Sequence, residues 1–170
     1  MPSGNQRKTP IFYVILAGLE TGVLGGVGML VLVAAYSAWR HDSVWAFPNL
    51  LASAFYGERA LTPRLSPATV AGIALHVFSS GLAGVLFGLA IRGYAVRFRV
   101  FLLGLLAGVG WYYISYGLVW KAVSPLVPLY SPDRAIWAGH LLFGAVLGVF
   151  PSRLQHLFRE WPGGPAPGPE

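Results

Sequence analysis

Three residues of this sequence carry ionisable groups where few belong: Glu20, His76 and His140, each inside a long apolar run. An ionisable side chain surrounded by hydrocarbon is costly, so such groups are functional candidates by default. Small residues follow each histidine at four and eight positions, as His76-x3-Ser80-x3-Gly84 and His140-x3-Gly144-x3-Gly148. At helical spacing these residues share a face with the ring and leave room beside it, which suits a flat ligand. Three chemistries fit. Two neutral imidazoles can ligate haem b or a chlorin, making His76 and His140 a cofactor-binding pair. Adding the carboxylate gives a set for a divalent metal such as Zn or non-haem Fe, formed by Glu20, His76 and His140. Alternatively, Glu20 starts a proton path that the histidines extend. A packing role stands beside all three. A buried His commonly hydrogen-bonds a hydroxyl or a backbone carbonyl, and Ser79, Ser80, Tyr112, Tyr113, Ser115 and Tyr116 are available. Glu20 can bond locally with Thr21 or a histidine.

The elements that must hold these residues follow from composition. Of 170 residues, 55% are hydrophobic and 11% are charged, against about 25% charged in soluble domains. Too little polar surface exists to face water, so lipid is the solvent for most of it. A spanning helix needs about 20 apolar residues, and four runs qualify: about 11–39, 67–91, 100–120 and 134–150. The expected fold is all-α, a polytopic four-transmembrane-helix bundle occupying 11–153. A short segment (1–10) precedes the membrane domain and a Pro/Gly-rich tail (154–170) follows it. Open strands are excluded in lipid because their backbone groups would be unsatisfied. The first run is too long for a signal-peptide core and lacks a small-residue cleavage site after a short core, so it is expected to be a retained first helix.

Depths follow from helix rise. Glu20 and His76 each lie nine residues into their runs, roughly 14 Å, and His140 about seven, roughly 10 Å. In a hydrocarbon core of about 30 Å all three fall near the middle. The second and fourth runs point the same way, so the histidines can face each other.

Local signals mark the boundaries. Ser66-Pro67 reads as an N-cap followed by proline at the first helical position. Ser131-Pro132-Asp133 does similar work for the fourth run, Pro125 and Pro128 stop the third, and Pro151 ends or kinks the fourth. Between the first two runs, about 44–57 is aromatic and apolar. It is expected to lie along the interface as a short helix, or else to pack as a lid over the bundle.

The formal net charge is +6. Arg7, Lys8, Arg92, Arg97, Arg99, Arg153 and Arg159 fall on one side of the spans. The other side mixes basic residues with Asp42, Glu58 and Asp133. Under the positive-inside rule both termini are cytoplasmic. No basic patch with interleaved aromatics is present, so nucleic acid is not a partner. There are no cysteines, which removes disulfides, thiolate metal sites and iron–sulfur clusters.

Glycines recur every four residues: Gly18, Gly22 and Gly26 in the first run, Gly84 and Gly88 in the second, Gly104 and Gly108 in the third, Gly144 and Gly148 in the fourth. Small residues at this spacing form grooves in which helix backbones approach closely. Matching His76 with His140, and Gly18-x3-Gly22 with Gly104-x3-Gly108, points to two related helical hairpins in the same orientation. Trp111, Tyr112, Tyr113, Tyr116 and Trp120 make the third run aromatic; helix contacts and an interfacial belt explain them, and a quinone or pigment pocket is the rarer explanation. No nucleophile elbow, zinc-protease helix or phosphate loop is present.

The glycine-rich first run with Glu20, the His76…Gly84 run and the closing Gly139-His140-Leu-Leu-Phe-Gly144-Ala-Val-Leu-Gly148 run resemble the small YagU-like four-helix inner-membrane proteins. The resemblance spans roughly 11–153. It implies a bacterial inner-membrane location and transfers no catalytic residue. Loops too short to hold a soluble catalytic site point to an accessory or scaffold subunit of a larger membrane complex. Its partners would be lipid and other membrane subunits or further copies of itself. A haem- or pigment-binding electron carrier and a proton or metal-ion carrier are the alternatives.

Overall fold

The computed structural model describes residues 10–92 and 96–159. Among these, every regular element is helical. The long α1 (Ile11–Trp39) is followed by α2 (Ala46–Leu51), α3 (Ser53–Tyr56) and a tight 3-10 turn at Gly57–Ala60. Next comes α4 (Pro67–Ile91). Helix α5 (Arg97–Ile114) runs through a π-helical turn at Ser115–Val119 into α6 (Trp120–Val123). The short α7 (Leu126–Tyr130) leads to α8 (Asp133–Leu147), and α9 (Phe150–Arg159) continues it. Four helices are long and apolar enough to cross a membrane: Ile11–Trp39, Pro67–Ile91, Arg97–Val123 and Asp133–Arg159. The chain is a multi-pass membrane protein built as a four-helix bundle.

The boundaries reflect the local sequence. Ser66 and Thr69 form a reciprocal capping box, with Pro67 at the first helical position. The third span ends before Pro125, and α8 starts immediately after Pro132. Both the third and the fourth spans are longer than the apolar runs alone indicate. Of the two roles expected for Pro151, the interruption fits better than the end: α8 stops at Leu147, the helix resumes as α9, and Pro151 sits in its first turn, where its missing N–H has no helical partner to lose. Helix therefore extends through 154–159, while 1–9 and 160–170, including Arg7 and Lys8, lie outside the described residues.

Neighbours around the bundle run α4, α1, α8, α5. Helix α1 packs along both α4 and α8, and α5 packs on α8. By contrast α4 and α5 barely touch, so one of the four seams stays open. The closed seams rest on glycine. A Cβ on Gly18 would lie 2.6 Å from the Gly84 carbonyl oxygen, and one on Gly22 would lie 2.9 Å from Gly84 Cα. In the other hairpin, a Cβ on Gly104 would lie 2.5 Å from the Gly144 carbonyl oxygen, and one on Gly108 2.9 Å from Gly144 Cα. Lipid offers no hydrophobic drive for helix association, so such close packing supplies the attraction. The two hairpins share this contact, Gly84 corresponding to Gly144. That register differs by one helical turn from the one that pairs His76 with His140. The first-hairpin equivalent of His140 is Ser80, whose carbonyl meets Gly22 as that of His140 meets Gly108.

Two apolar clusters fill the bundle. Val14, Ala17, Phe87, Phe143, Leu147 and Phe150 pack at the end where α1 begins. Met29, Val33, Phe47, Leu50, Val127 and Ile136 pack at the other. Segment 44–57 contributes Phe47, Leu50 and Leu51 to the second cluster, so it is a lid across this end, with Tyr56 outward. The fully buried Asn49 clamps the lid. Its Nδ2 donates to the carbonyls of Thr62 (2.6 Å) and Arg64 (2.9 Å), and its Oδ1 accepts from Thr69 Oγ1 (2.6 Å).

Candidate functional site

His76 projects from α4 toward α1, and its Nε2 donates to the Gly26 carbonyl at 3.1 Å. Gly26 also makes room for Ser80 of α4: a Cβ there would lie 2.5 Å from the Ser80 side chain, though at an ordinary 3.6 Å from the His76 nitrogen. The lid's Phe47 packs edge-on against the ring at 6.5 Å. His140 is buried on α8, and its Nδ1 donates to the Ile136 carbonyl one turn back, at 2.9 Å. Tyr112 and Tyr116, stacked on each other, meet this ring edge-on at 5.4 and 6.0 Å. A carbonyl only accepts, so these ring nitrogens carry the protons. In the neutral rings Nδ1 of His76 and Nε2 of His140 are then lone pairs. Neither has a partner among the described residues.

Both histidines line one cavity of about 240 Å³. Phe47, Leu51 and Phe55 of the lid roof it, and Met29 and Phe143 lie at its floor. Its far wall is the third span: Trp111, then Ser115, Tyr116 and Val119 from the π-helical turn, then Trp120. Such turns widen the helix and recur at functional sites. A buried hydrogen bond between Ser53 and Ser124 (2.7 Å) ties the lid to the end of that span.

Below this chamber runs a trench of about 360 Å³ between α4 and α5, lined by Leu82, Leu86, Phe87, Ala107 and Leu147. Ser79, Trp111 and Phe143 border both spaces. The chamber and the trench thus adjoin along the open seam, with the polar side chains gathered at the chamber, where Ser79, Ser80, Ser115 and Tyr116 stand with the histidines.

Glu20 does not join them. It lies six residues before Gly26 on α1, about 9 Å along the axis. It forms an ion pair with Arg153 of α9, the two side chains being 30% and 34% exposed. The pair is possible because α9 carries the fourth span onward along α1, where Phe158 meets Tyr13 at 5.9 Å. No group of three or more metal-ligating side chains exists among the described residues. The proposed metal set is therefore corrected: the histidines share a cavity, but the carboxylate is engaged elsewhere. A relay from Glu20 to the histidines lacks its first step for the same reason. The bond from His76 Nε2 to α1 leaves Nδ1 of His76 and Nε2 of His140 as the ring atoms that the pair offers to a shared cofactor.

Sequence reasoning missed Arg153 as the partner of Glu20, because Pro151 reads as a helix end. It missed Asn49 and the π-helical turn, neither of which has a periodic signature. No protein family, characterised protein or solved structure was found to match the chain.

Proposed function

We propose that this protein binds a small amphipathic, lipid-soluble molecule in the cleft between α4 and α5, as an accessory or carrier subunit of a bacterial inner-membrane complex. One observation carries the reading: the open seam sets an apolar trench against a chamber whose polar groups include two histidine nitrogens without a partner among the described residues. Apolar pockets with a few convergent polar groups are the usual form of a ligand site. A molecule dissolved in the bilayer reaches such a cleft sideways, without crossing water.

Orientation follows the charges. Arg92, Arg97, Arg99, Arg153 and Arg159 gather at the trench end, which supports cytoplasmic termini. Native mass spectrometry of detergent-purified protein tests the binding reading. A co-purifying lipophile that vanishes in Ala107→Trp, which fills the trench, is the expected result. Bare protein from native membranes would refute it. A reporter fused at the C-terminus and active only in the cytoplasm checks the orientation.

A further inference from the structure

We infer that the chamber holds the head of an alkylated hydroquinone, its two hydroxyls donating to Nδ1 of His76 and Nε2 of His140 and its hydrocarbon tail in the trench. This rests on the cleft-binding reading above and adds the head group and its redox state.

The hydrogen-bond pattern selects the head. Both imidazoles already donate to main-chain carbonyls, which cannot give a proton back, so each ring presents only an acceptor. The hydroxyl protons of Ser79 and Ser115 are likewise directed to the carbonyls of His76 (3.0 Å) and Tyr112 (3.2 Å). At the two histidine nitrogens the ligand must therefore bring the protons, while Ser80 and the indole N–H groups of Trp111 and Trp120 line other parts of the chamber. The two acceptors stand on different helices, α4 and α8, so a head with hydroxyls at opposite ends of a ring can bridge them. A simple alcohol satisfies only one. A quinone offers further acceptors to both and leaves buried groups unpaired, which is penalised in an apolar setting.

Size and charge agree. A cavity of about 150 Å³ accommodates a benzene ring, so about 240 Å³ takes a substituted ring. Phe47, Trp111 and Tyr116 give it aromatic walls. No Asp, Glu, Lys or Arg lines either space among the described residues. A phosphate or carboxylate head would be buried without a counter-charge, which is strongly unfavourable.

The test uses the full chain in lipid nanodiscs and equilibrium binding of three radiolabelled probes: decyl-benzoquinol, the matching decyl-benzoquinone, and decanol. The quinol should bind at least tenfold more tightly than either of the others. His140→Phe should erase that preference while decanol binding stays unchanged. His76→Phe should do the same; should it fail to fold without its bond to Gly26, the His140→Phe result decides. Equal affinities for quinol and quinone in the native protein, or a quinol preference that survives His140→Phe, would overturn the head-group assignment while leaving tail binding intact. Failure of all three probes to bind would overturn the cleft reading as well.

Discussion

At the residue scale, Glu20 and Arg153 are one unit. Each compensates a charge that the other would leave bare beside hydrocarbon, and Arg153 Nε has no hydrogen-bond partner among the described residues. Single changes such as Glu20→Gln or Arg153→Gln should lower stability by about 1.5–3 kcal/mol, the range for hydrogen bonds to charged groups. The double variant should recover part of that loss, because the uncompensated charge is gone. Thermal unfolding in detergent, followed by circular dichroism, checks the cycle; additive losses would show that the two residues do not act together. Glu20 was conspicuous in the sequence as a lone acid in an apolar run. Its partner was not, since a basic residue just past Pro151 looks like an ordinary membrane flank.

At the element scale, glycine positions divide by what they face. Gly108 meets the backbone of α8, where a Cβ has no room to be relieved by side-chain rotation. Gly108→Ala should cost about 1–3 kcal/mol by forcing α5 off α8. Gly28 meets only the Leu142 side chain at 3.5 Å, ordinary contact, so Gly28→Ala should be nearly neutral in the same unfolding assay. The lid gives a second contrast. Asn49→Ala leaves the carbonyls of Thr62 and Arg64 without their donor. It should expose the connection at 61–66 to protease while the four spans remain protected; unchanged cleavage would sink the clamp. The spans were legible because lipid demands uninterrupted apolar length. The Gly84/Gly144 correspondence was legible in kind but one turn out in register, because four-residue spacing repeats along each helix and sequence alone cannot say which step makes contact. The lid's clamp depends on one asparagine bonding groups far along the chain, which leaves no local pattern.

At the scale of the whole molecule, the departure from two-fold likeness matters most. Two related hairpins could close both of their mutual seams. Here α1 meets α8, while α4 and α5 stand apart. No composition or periodicity distinguishes the closed seam from the open one, since both are lined by apolar and small residues. Because the chain has no cysteine, a single introduced thiol reports its own site. Leu86→Cys, on the cleft wall, should react with a membrane-soluble maleimide and be protected by an added lipophile. Phe78→Cys, on an exposed stretch of α4 that lines neither space, should react equally with or without it. Protection at both positions, or at neither, would contradict a ligand confined to the cleft.

The wide turn at Ser115–Val119 has an angular consequence. At about 100° per residue, nine residues of uninterrupted α-helix would carry Trp120 about half a revolution from Trp111. Both nevertheless look into one chamber, because a π-helical turn winds more slowly. The phase of the third span is therefore set by a single surplus residue. Removing Gly117, which faces open space, would restore the tighter winding, and Trp120 and Val123 would swing toward the surrounding lipid. The span would still cross the bilayer, but the wall opposite the histidines would have turned away.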